Sequence, residues 1–567
     1  MKKNAFALWA IPFYVIVLFN SNHIIYSNNQ DIPDTKMVHQ NFDDNQYDFD
    51  LDNDLINPVI DDFLTKTEFC VSPSFNPSSI LSTLIESFNA LAIMQENLYL
   101  KTYPLNKRNT VDLPIFYDYY REYPQPRTFG INLFYNQTSR MGFCKDCDNI
   151  SCYLAVNQQT LLDKIDDTFR CIREAFPSFV TDPLNILPLF NNITIQDRQA
   201  GIMFHGDKYY NDRKIHFHIH APLMYQERNF YMTEEEQENV RETLGPSGSD
   251  DEKSTMEFAE KHLIADKFGI GDTRITLDWL IHKRPALELE LGLRATIPTA
   301  FAFEKGLKGS SFENSKPPQC FNIGLIWDQF ETEQCERGKE VVSDFMERAL
   351  DRLSQMLLDT RLGNDRHLGL GATFTIHSRL SNYVNKSWAR NVEFRTRVSL
   401  DYLFPAGETR FFIQKLNPDE FSDSNFPLKR IEDYREFAAE RLQFLSNRVL
   451  EKLFPFRTVA TVHPGAVFMW TSAWSYKTGR WTLGLITDFW AKTKESFGKI
   501  RYKPPVALDI ERGARPYALQ SKLGFNIMYT LPRRFQSWTF SLYGDGTYWA
   551  ESIGKDFTLG FNIMVHF

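Results

Sequence analysis

A row of histidines is the most chemically suggestive pattern in this sequence. His216, His218 and His220 alternate with apolar residues in the stretch KIHFHIHA, and His205 precedes them. A side-chain period of two would place the three imidazoles on one face of a strand, about 7 Å apart. Because a tetrahedral ion needs closer ligands, neighbours in this row cannot share one ion without help from another strand. We therefore predict that the row lines a polar surface and that the chain holds no metal.

Cysteines are the second candidates for metal or redox chemistry. Cys144, Cys147 and Cys152 are closely spaced and Cys171 follows, but no second pair repeats the motif. Disulfides or unpaired buried thiols are the expectation for an exported chain, and a disulfide between Cys320 and Cys335 is one option. The sequence has no phosphate-binding glycine loop, HExxH or GxSxG motif. We expect no catalytic residue, no cofactor and no enzymatic activity.

Composition narrows the class of protein. The 567 residues carry a net charge of -9, without the basic surplus of a nucleic-acid binder, so we expect no nucleic-acid partner. Aromatic residues make up 14% of the chain, with 48 phenylalanines, while the mean hydropathy is only -0.37. Many aromatics with near-average charge are typical of strands that face lipid on one side and water on the other.

Strict alternation recurs along the chain. From Phe557 to Phe567 every odd position is apolar, and every even position except Met564 is small or polar. The hexapeptide LGFNIM begins at Leu523 and again at Leu559, which predicts two strands that lie two apart in one sheet. We predict strands near residues 128–138, 150–157, 191–206, 213–231, 272–283, 285–300, 366–380, 387–404, 456–475, 479–492, 516–530, 535–548 and 556–567.

The predicted connections alternate in length. Long ones cover residues 158–190, 232–271, 301–365, 405–455 and 493–515, and short ones lie between them. Short turns at one rim and long loops at the other are typical of outer-membrane barrels. We therefore predict an all-β fold: a transmembrane antiparallel β-barrel of 12–14 strands, with helical insertions in the long loops. Apolar faces at 342–357, 437–453 and 256–264 predict these helices, which could cover the barrel mouth, enter the lumen or pack on one another.

Charged residues lie between the apolar positions of several strands. If the apolar set faces lipid, these residues face the lumen, since a midplane Arg or Lys on the lipid face would cost about 2–4 kcal/mol. The functional interpretation is a polar pore lining, and the structural interpretation is a salt-bridged, filled interior. The candidate lining residues are Arg274, Asp278, Glu288, Glu290, Arg294, Glu393, Arg395, Arg397, Asp401, His216, His218 and His220.

The residues before the strands suggest an exported chain. Two lysines and an apolar run from Phe6 to Phe19 are typical of a signal peptide over residues 1–27, with an uncleaved anchor as the alternative. Residues 28–62 form an acidic stretch that we expect to be a disordered leader. Residues 63–127 are predicted to be an N-terminal plug or periplasmic segment, and residues 128–567 the outer-membrane barrel.

Two stretches resemble known barrel families. The C-terminal strand, with Phe561, Ile563, Val565 and Phe567, is similar to the closing strand of bacterial outer-membrane barrels, which the barrel-assembly machinery reads. The stretches GIGDTRITLDWL from Gly269 and ALELELGLRATIPT from Ala286 together resemble a strand pair of transporters of the long-chain fatty-acid transporter and uptake-porin type, although Ala300 replaces the family's final glycine. That resemblance implies a 14-stranded barrel, an N-terminal plug and passive uptake of small, often hydrophobic, molecules.

Taken with the strand pattern, these resemblances predict a location and a function. We expect a bacterial outer-membrane barrel in contact with outer-membrane lipid, acting as a passive channel or transporter for small solutes. The alternative is a structural or host-contact surface barrel with a filled lumen and large external loops.

Overall fold

The computed structural model describes residues 101–113, 127–140, 150, 193–211, 214–244, 252–284, 287–305, 316, 335–359, 361–413, 454–501, 507–532 and 536–567. The predicted signal peptide, the acidic leader, the predicted strand near 150–157 apart from its first residue, and the helix at 437–453 lie outside these residues. So do the cysteines, apart from Cys335, which begins a helix.

Twelve antiparallel strands form a closed barrel. In ring order they are β1 (Arg127–Arg140), β2 (Thr194–Tyr210), β3 (Ile215–Tyr231), β5 (Thr273–Arg284), β6 (Leu287–Ile297), β8 (Gly369–Arg379), β9 (Val392–Leu403), β12 (Gly465–Thr478), β13 (Trp481–Lys492), β15 (Ala518–Pro532), β16 (Ser537–Glu551) and β17 (Lys555–His566). Pairing of β1 with β17 completes the ring, and β2 pairs with β3. The predicted barrel class is confirmed, with 12 strands rather than the 14 that the family resemblance implies.

Alternation places apolar side chains outside the ring and polar ones inside it. On β17, Leu559 is 52% exposed on the outer face, whereas Thr558 and Asn562 are each 1% exposed. The repeated hexapeptides lie on β15 and β17 with β16 between them, as predicted. An exterior that is more apolar than the interior is the arrangement that a lipid surrounding requires.

Turn lengths define two rims. The pairs β2–β3, β5–β6, β12–β13 and β15–β16 are joined by short turns, and β1 begins and β17 ends at that same rim. The opposite rim carries most of the long connections, and we call it the long-connection rim.

Four further strands occupy regions that we predicted as loops, and there the prediction was wrong. They are β4 (Ile264–Ile270), β7 (Phe301–Lys305), β10 (Ala406–Phe412) and β14 (Ser496–Ile500). The predicted strand at 456–475 is also two strands, β11 (Phe456–His463) and β12, because Gly465 takes a positive φ of 82° that breaks the extended run. β10, β11 and β14 form a separate three-stranded sheet, and β4 and β7 extend the barrel sheet beside β3.

Three helices lie in the described long connections: α1 (Glu234–Leu244), α2 (Glu252–His262) and α3 (Cys335–Leu357). α2 and α3 were predicted from their apolar faces, and α1 was not. Val240, Phe258 and Leu350 of these helices join one apolar core with Ile195 and Phe230 at the ends of β2 and β3. The helices therefore pack together at the long-connection rim. Among the residues described, none of the helices has both the length and the apolar character needed to cross a membrane.

The outer face of the β2–β3 hairpin changes character along its length. Ile215, Phe217 and Ile219 are partly exposed apolar residues near the short turn. Beyond Tyr225 the outer face becomes charged, and Arg198 Nη1 lies 3.2 Å from Glu227 Oε1. This change marks a boundary between two surroundings along a single hairpin.

Candidate lumen site

The predicted lining residues on β5, β6 and β9 form a chain of ion pairs. Arg397 Nη2 lies 2.6 Å from Asp278 Oδ2, and Thr373 Oγ1 donates to Asp278 Oδ1 at 2.7 Å. Arg294 Nε donates to Asp401 Oδ1 at 2.9 Å. Because each of these groups meets an opposite charge, the cost of burying it is partly offset.

The same chain becomes more exposed toward the short-turn rim. Arg395 Nη2 lies 3.2 Å from Glu290 Oε2, where both side chains are partly buried. Glu288 and Glu393 flank His377, at 3.4 Å from Nδ1 and 3.5 Å from Nε2 respectively, and the Glu288 side chain is 37% exposed. The predicted charges therefore run from a partly exposed rim to a buried interior.

The predicted histidine row lies on the inner face of β3. His216, His218 and His220 are each at most 4% exposed. Register pairing sets Asp207 of β2 opposite His218, and His216 Nε2 lies 3.1 Å from Asp207 Oδ1. The neighbouring strand thus supplies a carboxylate that the row alone lacks.

The segment at residues 101–113, which we call the plug segment, lies inside the barrel at the end nearer the long-connection rim. Arg108 Nη1 lies 2.6 Å from Asp488 Oδ2 of β13, and Asp112 pairs with Arg274 of β5. These two strands stand almost opposite each other in the ring. The plug segment therefore spans the lumen and joins opposite walls.

A short 3-10 turn, Thr110–Asp112, carries the centre of the plug segment. Asn109 caps this turn through its side chain and donates from Nδ2 to Asp272 Oδ2 at 2.8 Å. Val111 packs in an apolar cluster with the inward-facing Phe134 and Met203. The turn thus meets the wall through a few apolar contacts and several polar ones.

Ionised groups of the plug segment are held in their charged forms. Burial opposes ionisation of Asp112, but Arg274 and Arg294 outweigh it and keep the pKa of this carboxyl below its ordinary value. Burial likewise opposes the charge on Arg108, but Asp488 raises the pKa of its guanidinium. At Lys107, by contrast, burial outweighs the carboxylates of Asp197, Asp365 and Asp272 and lowers the pKa of the ammonium to about 8.

A cleft with basic and acidic walls borders the plug segment at the long-connection rim. It is lined in part by Lys107, Arg410, Lys492 and Arg515. Arg410 and Arg515 each contact Glu495, at 2.9 Å and 3.1 Å. Burial would raise the pKa of Glu495, but the surrounding cations hold it well below its usual range. The ion pairs fix the loop that follows β13 against the loop that precedes β15.

Sequence reasoning missed two groups of interior residues. Asp488, Lys522, Asp545 and Asp556 lie on strands that we had predicted, and the same period-two rule would have found them. Arg108 and Asp112 lie in an irregular segment, where no periodic signal shows which side chains meet the wall. In the described part of the chain, the predicted charged residues mainly form close ion pairs and do not form a ring of unpaired charges around an open lumen.

The predicted assembly signal lies on the closing strand. Phe561 and Phe567 are 38% and 44% exposed, and Ile563 and Val565 are partly buried. The backbone N–H of Phe567 donates to Arg127 O at 3.0 Å, and Arg127 N–H donates to Phe567 O at 3.1 Å. These residues thus stand at the seam that closes the ring.

No family model and no curated protein matches this chain. Among solved structures, it is 8% identical to the COG4313 outer membrane channel from Pseudomonas putida F1, with 78% of this chain and 97% of that chain covered and a TM-score of 0.36. It is also 8% identical to the Ralstonia pickettii toluene transporter TbuX, with 78% and 90% covered and a TM-score of 0.26. The transport unit of the autotransporter AIDA-I from Escherichia coli is 8% identical over 85% of this chain and 98% of its own, with a TM-score of 0.30. These are barrels to which the chain is similar, and its function has to be inferred from its own side chains.

Proposed function

We propose that this chain is a bacterial outer-membrane barrel that passes small solutes by diffusion, and that the plug segment holds its lumen closed. The observation that carries the proposal is the way the plug segment is held: two of its residues meet opposite walls through Arg108–Asp488 and Asp112–Arg274. In this proposal the solute passes only while that segment is displaced.

Several contacts of the plug segment with the wall are hydrogen bonds between polar groups, which favours displacement of the segment. Thr110 Oγ1 donates to Gln199 Oε1 at 2.8 Å, and Asn106 Nδ2 donates to Ser552 O at 3.0 Å. Such contacts can be exchanged for contacts with water when the lumen hydrates, so the free-energy difference between docked and displaced states is small compared with that of an apolar core. Once the segment has moved, the charged residues on β5, β6 and β9 would line the path and select solutes by size and charge.

A filled structural or host-contact barrel is the second candidate. The observation in its favour is wall-to-wall pairing that does not involve the plug segment. Arg294–Asp401 and Lys522 with Asp545 and Asp556 occupy interior space by themselves. If those contacts fill the lumen, displacement of the plug segment does not open a path for solutes.

Single-channel recording in planar bilayers separates the two candidates. The test variant is Arg108→Ser with Asp112→Ser, which removes both plug ion pairs without changing the net charge. The matched control is Arg395→Ser with Glu290→Ser, which removes an arginine–carboxylate pair from the wall. We expect rare openings for the wild type and the control, and steady conductance for the plug variant.

Solute passage gives a second measurement on the same proteins. Liposomes that contain the plug variant should swell in small sugars faster than liposomes that contain the wild type or the control. Heat-modifiable gel migration verifies that each variant is a folded barrel. A folded plug variant that stays as silent as the wild type in both assays would refute the channel and favour the filled barrel.

In this proposal the surroundings of the barrel are outer-membrane lipid, and its biogenesis depends on the barrel-assembly machinery. Support for the second point is the exposed aromatic at the closing seam, Phe567, preceded by the outward-facing Phe561, Ile563 and Val565.

A further inference from the structure

The histidine row has a geometry that the proposed transport does not use. His216 and His218 of β3 point inward next to Asp207 of β2, and each of the three is at most 5% exposed. One ligand atom from each lies within 4.8 Å of the other two. The sequence alone could not supply this arrangement, because the carboxylate comes from the partner strand of the hairpin.

The spacing of these atoms fits a small tetrahedral ion. His216 Nε2 lies 3.1 Å from Asp207 Oδ1, and His218 Nδ1 lies 3.6 Å from the same oxygen. Ligands at the usual Zn–N and Zn–O distances of about 2.0–2.1 Å stand about 3.3 Å apart around a tetrahedral Zn²⁺. The two observed separations lie on either side of that value, so a small shift of the side chains would place an ion between them.

The opposite nitrogen of each imidazole also meets a suitable partner. His216 Nδ1 lies 3.7 Å from Asp278 Oδ2, and Asp278 is itself held by Arg397 and Thr373. His218 Nε2 lies 3.0 Å from His220 Nε2, which can accept its proton. Metal-bound histidines almost always donate their second N–H to a carboxylate, carbonyl or other acceptor, which fixes the tautomer and orients the ring. Both rings therefore turn one nitrogen toward Asp207, where a bound ion would replace the proton that faces the carboxylate.

Packing fixes the rings in these positions. Tyr209 stacks on His216 with ring centroids 4.3 Å apart and an interplanar angle of 8°. The rings of His218 and His220 have centroids 4.1 Å apart. Side chains held this way have less freedom to lose when an ion binds.

We propose that Asp207, His216 and His218 bind one Zn²⁺ inside the barrel, where the ion joins β2 to β3, with a fourth position left for water or a further imidazole. Two imidazoles and one carboxylate suit Zn²⁺, whereas Ca²⁺ and Mg²⁺ prefer oxygen ligands. This proposal departs from our sequence-based expectation of no metal, and it does not depend on whether the barrel conducts. Because the ligands are buried, the ion enters as the barrel folds and exchanges slowly afterwards.

Zinc content after refolding tests the site. The full chain is refolded into detergent with Zn²⁺, washed with a chelator and analysed by inductively coupled plasma mass spectrometry. We expect about one Zn²⁺ per wild-type chain and at least a tenfold loss in the variant Asp207→Asn with His216→Gln and His218→Gln. The matched control His205→Gln with His377→Gln removes two other interior imidazoles and should keep its zinc.

A second measurement on the wild type keeps the proposal falsifiable if the triple variant fails to fold. X-ray absorption of the chain refolded with Co²⁺ should show imidazole nitrogen around the metal. Wild-type protein that keeps no zinc after the wash, a triple variant that keeps as much as the wild type, or a cobalt spectrum without imidazole scattering would each overturn the assignment. Replacing Asp278 by asparagine should weaken zinc affinity about 10–100-fold, since Asp278 positions the ring of His216.

Discussion

Replacement of Lys522 by methionine should destabilise the folded barrel by about 3–5 kcal/mol. The ammonium is fully buried on the inner face of β15, and its Nζ lies 3.1 Å from Asp545 Oδ1 and 3.0 Å from Asp556 Oδ2. It also donates to Thr558 Oγ1 at 3.4 Å. One cation therefore compensates two buried carboxylates on the next two strands of the ring.

The magnitude follows from these distances. At an effective dielectric constant of about 20, each attraction is worth about 5 kcal/mol before the cost of removing the charges from water is subtracted. Methionine fills most of the same volume, so the loss is electrostatic, and it leaves two negative charges uncompensated. Experience with other buried pairs sets the net loss at about 3–5 kcal/mol, whereas neutralising every member of such a cluster is nearly neutral or stabilising.

Urea unfolding in phospholipid vesicles, followed by tryptophan fluorescence and approached from both the folded and unfolded sides, measures the free energy of unfolding. The variants are Lys522→Met and the triple Lys522→Met, Asp545→Asn, Asp556→Asn, which removes all three charges. We expect the triple variant to lie within about 1 kcal/mol of the wild type, well above the single variant. A single variant as stable as the wild type, or a triple variant as unstable as the single one, would refute the reasoning.

Three further predictions concern the outer face, the seam and the plug segment. Leu559→Arg places a charge on the exposed outer face of β17 and should lower the free energy of unfolding in vesicles by about 2–4 kcal/mol, whereas Leu559→Met should change it by less than about 1.5 kcal/mol. Deletion of Phe567 removes two backbone hydrogen bonds at the seam and should reduce the amount of folded barrel in the outer membrane far more than trimming residues 28–60; equal amounts would contradict the assembly argument. Burial lowers the pKa of Lys107 to about 8, below its ordinary 10.5, so the docked plug segment favours the neutral amine, and docking should strengthen as pH rises through about 8. Channel openings of the wild type should therefore become rarer between about pH 8 and about pH 10, and those of Lys107→Met should not change with pH over this range.

The period of two predicted the barrel because the alternation within each strand indicates which side chains face outward and which face the interior. β17 is the clearest case: Leu559 and Phe561 lie outside and Thr558 and Asn562 inside, as the alternation requires. Local periodicity suffices there, since every barrel strand has one outer face and one inner face.

The pairing of side chains between different strands or segments could not be predicted in the same way. Asp207 meets His216 and His218 because the β2–β3 turn sets the register of two strands, and a shift by one residue would send the carboxylate to the other face. The plug segment is a stronger case, because Arg108 finds Asp488 across 380 positions of the chain. The residues around Arg108 and around Asp488 contain no pattern that predicts this pairing.

The small strands in the long connections were missed for a related reason. β4 and β7 extend the sheet beside β3, and their pairing, more than their own sequence pattern, holds them extended. β10 likewise lies against β11 in a separate sheet. Short strands whose stability comes from a distant partner have little periodic signal of their own.

In the proposed outer-membrane barrel, the change along the outer face of the β2–β3 hairpin would mark the height at which the bilayer ends. From Ile215 to Leu223 the outward side chains are apolar, a stretch of about 27 Å along the strand, or about 21 Å of height at a tilt of about 40°. That height is close to the apolar band of about 25 Å in outer-membrane barrels. Beyond Tyr225 the polarity of the two faces is reversed. The inward-facing Ile195 and Phe230 join the apolar core beneath the helices, while the outer face carries Glu227. One continuous hairpin therefore has an apolar outer face and a polar inner face in its lower part and the reverse in its upper part, and α1, α2 and α3 pack on the upper part.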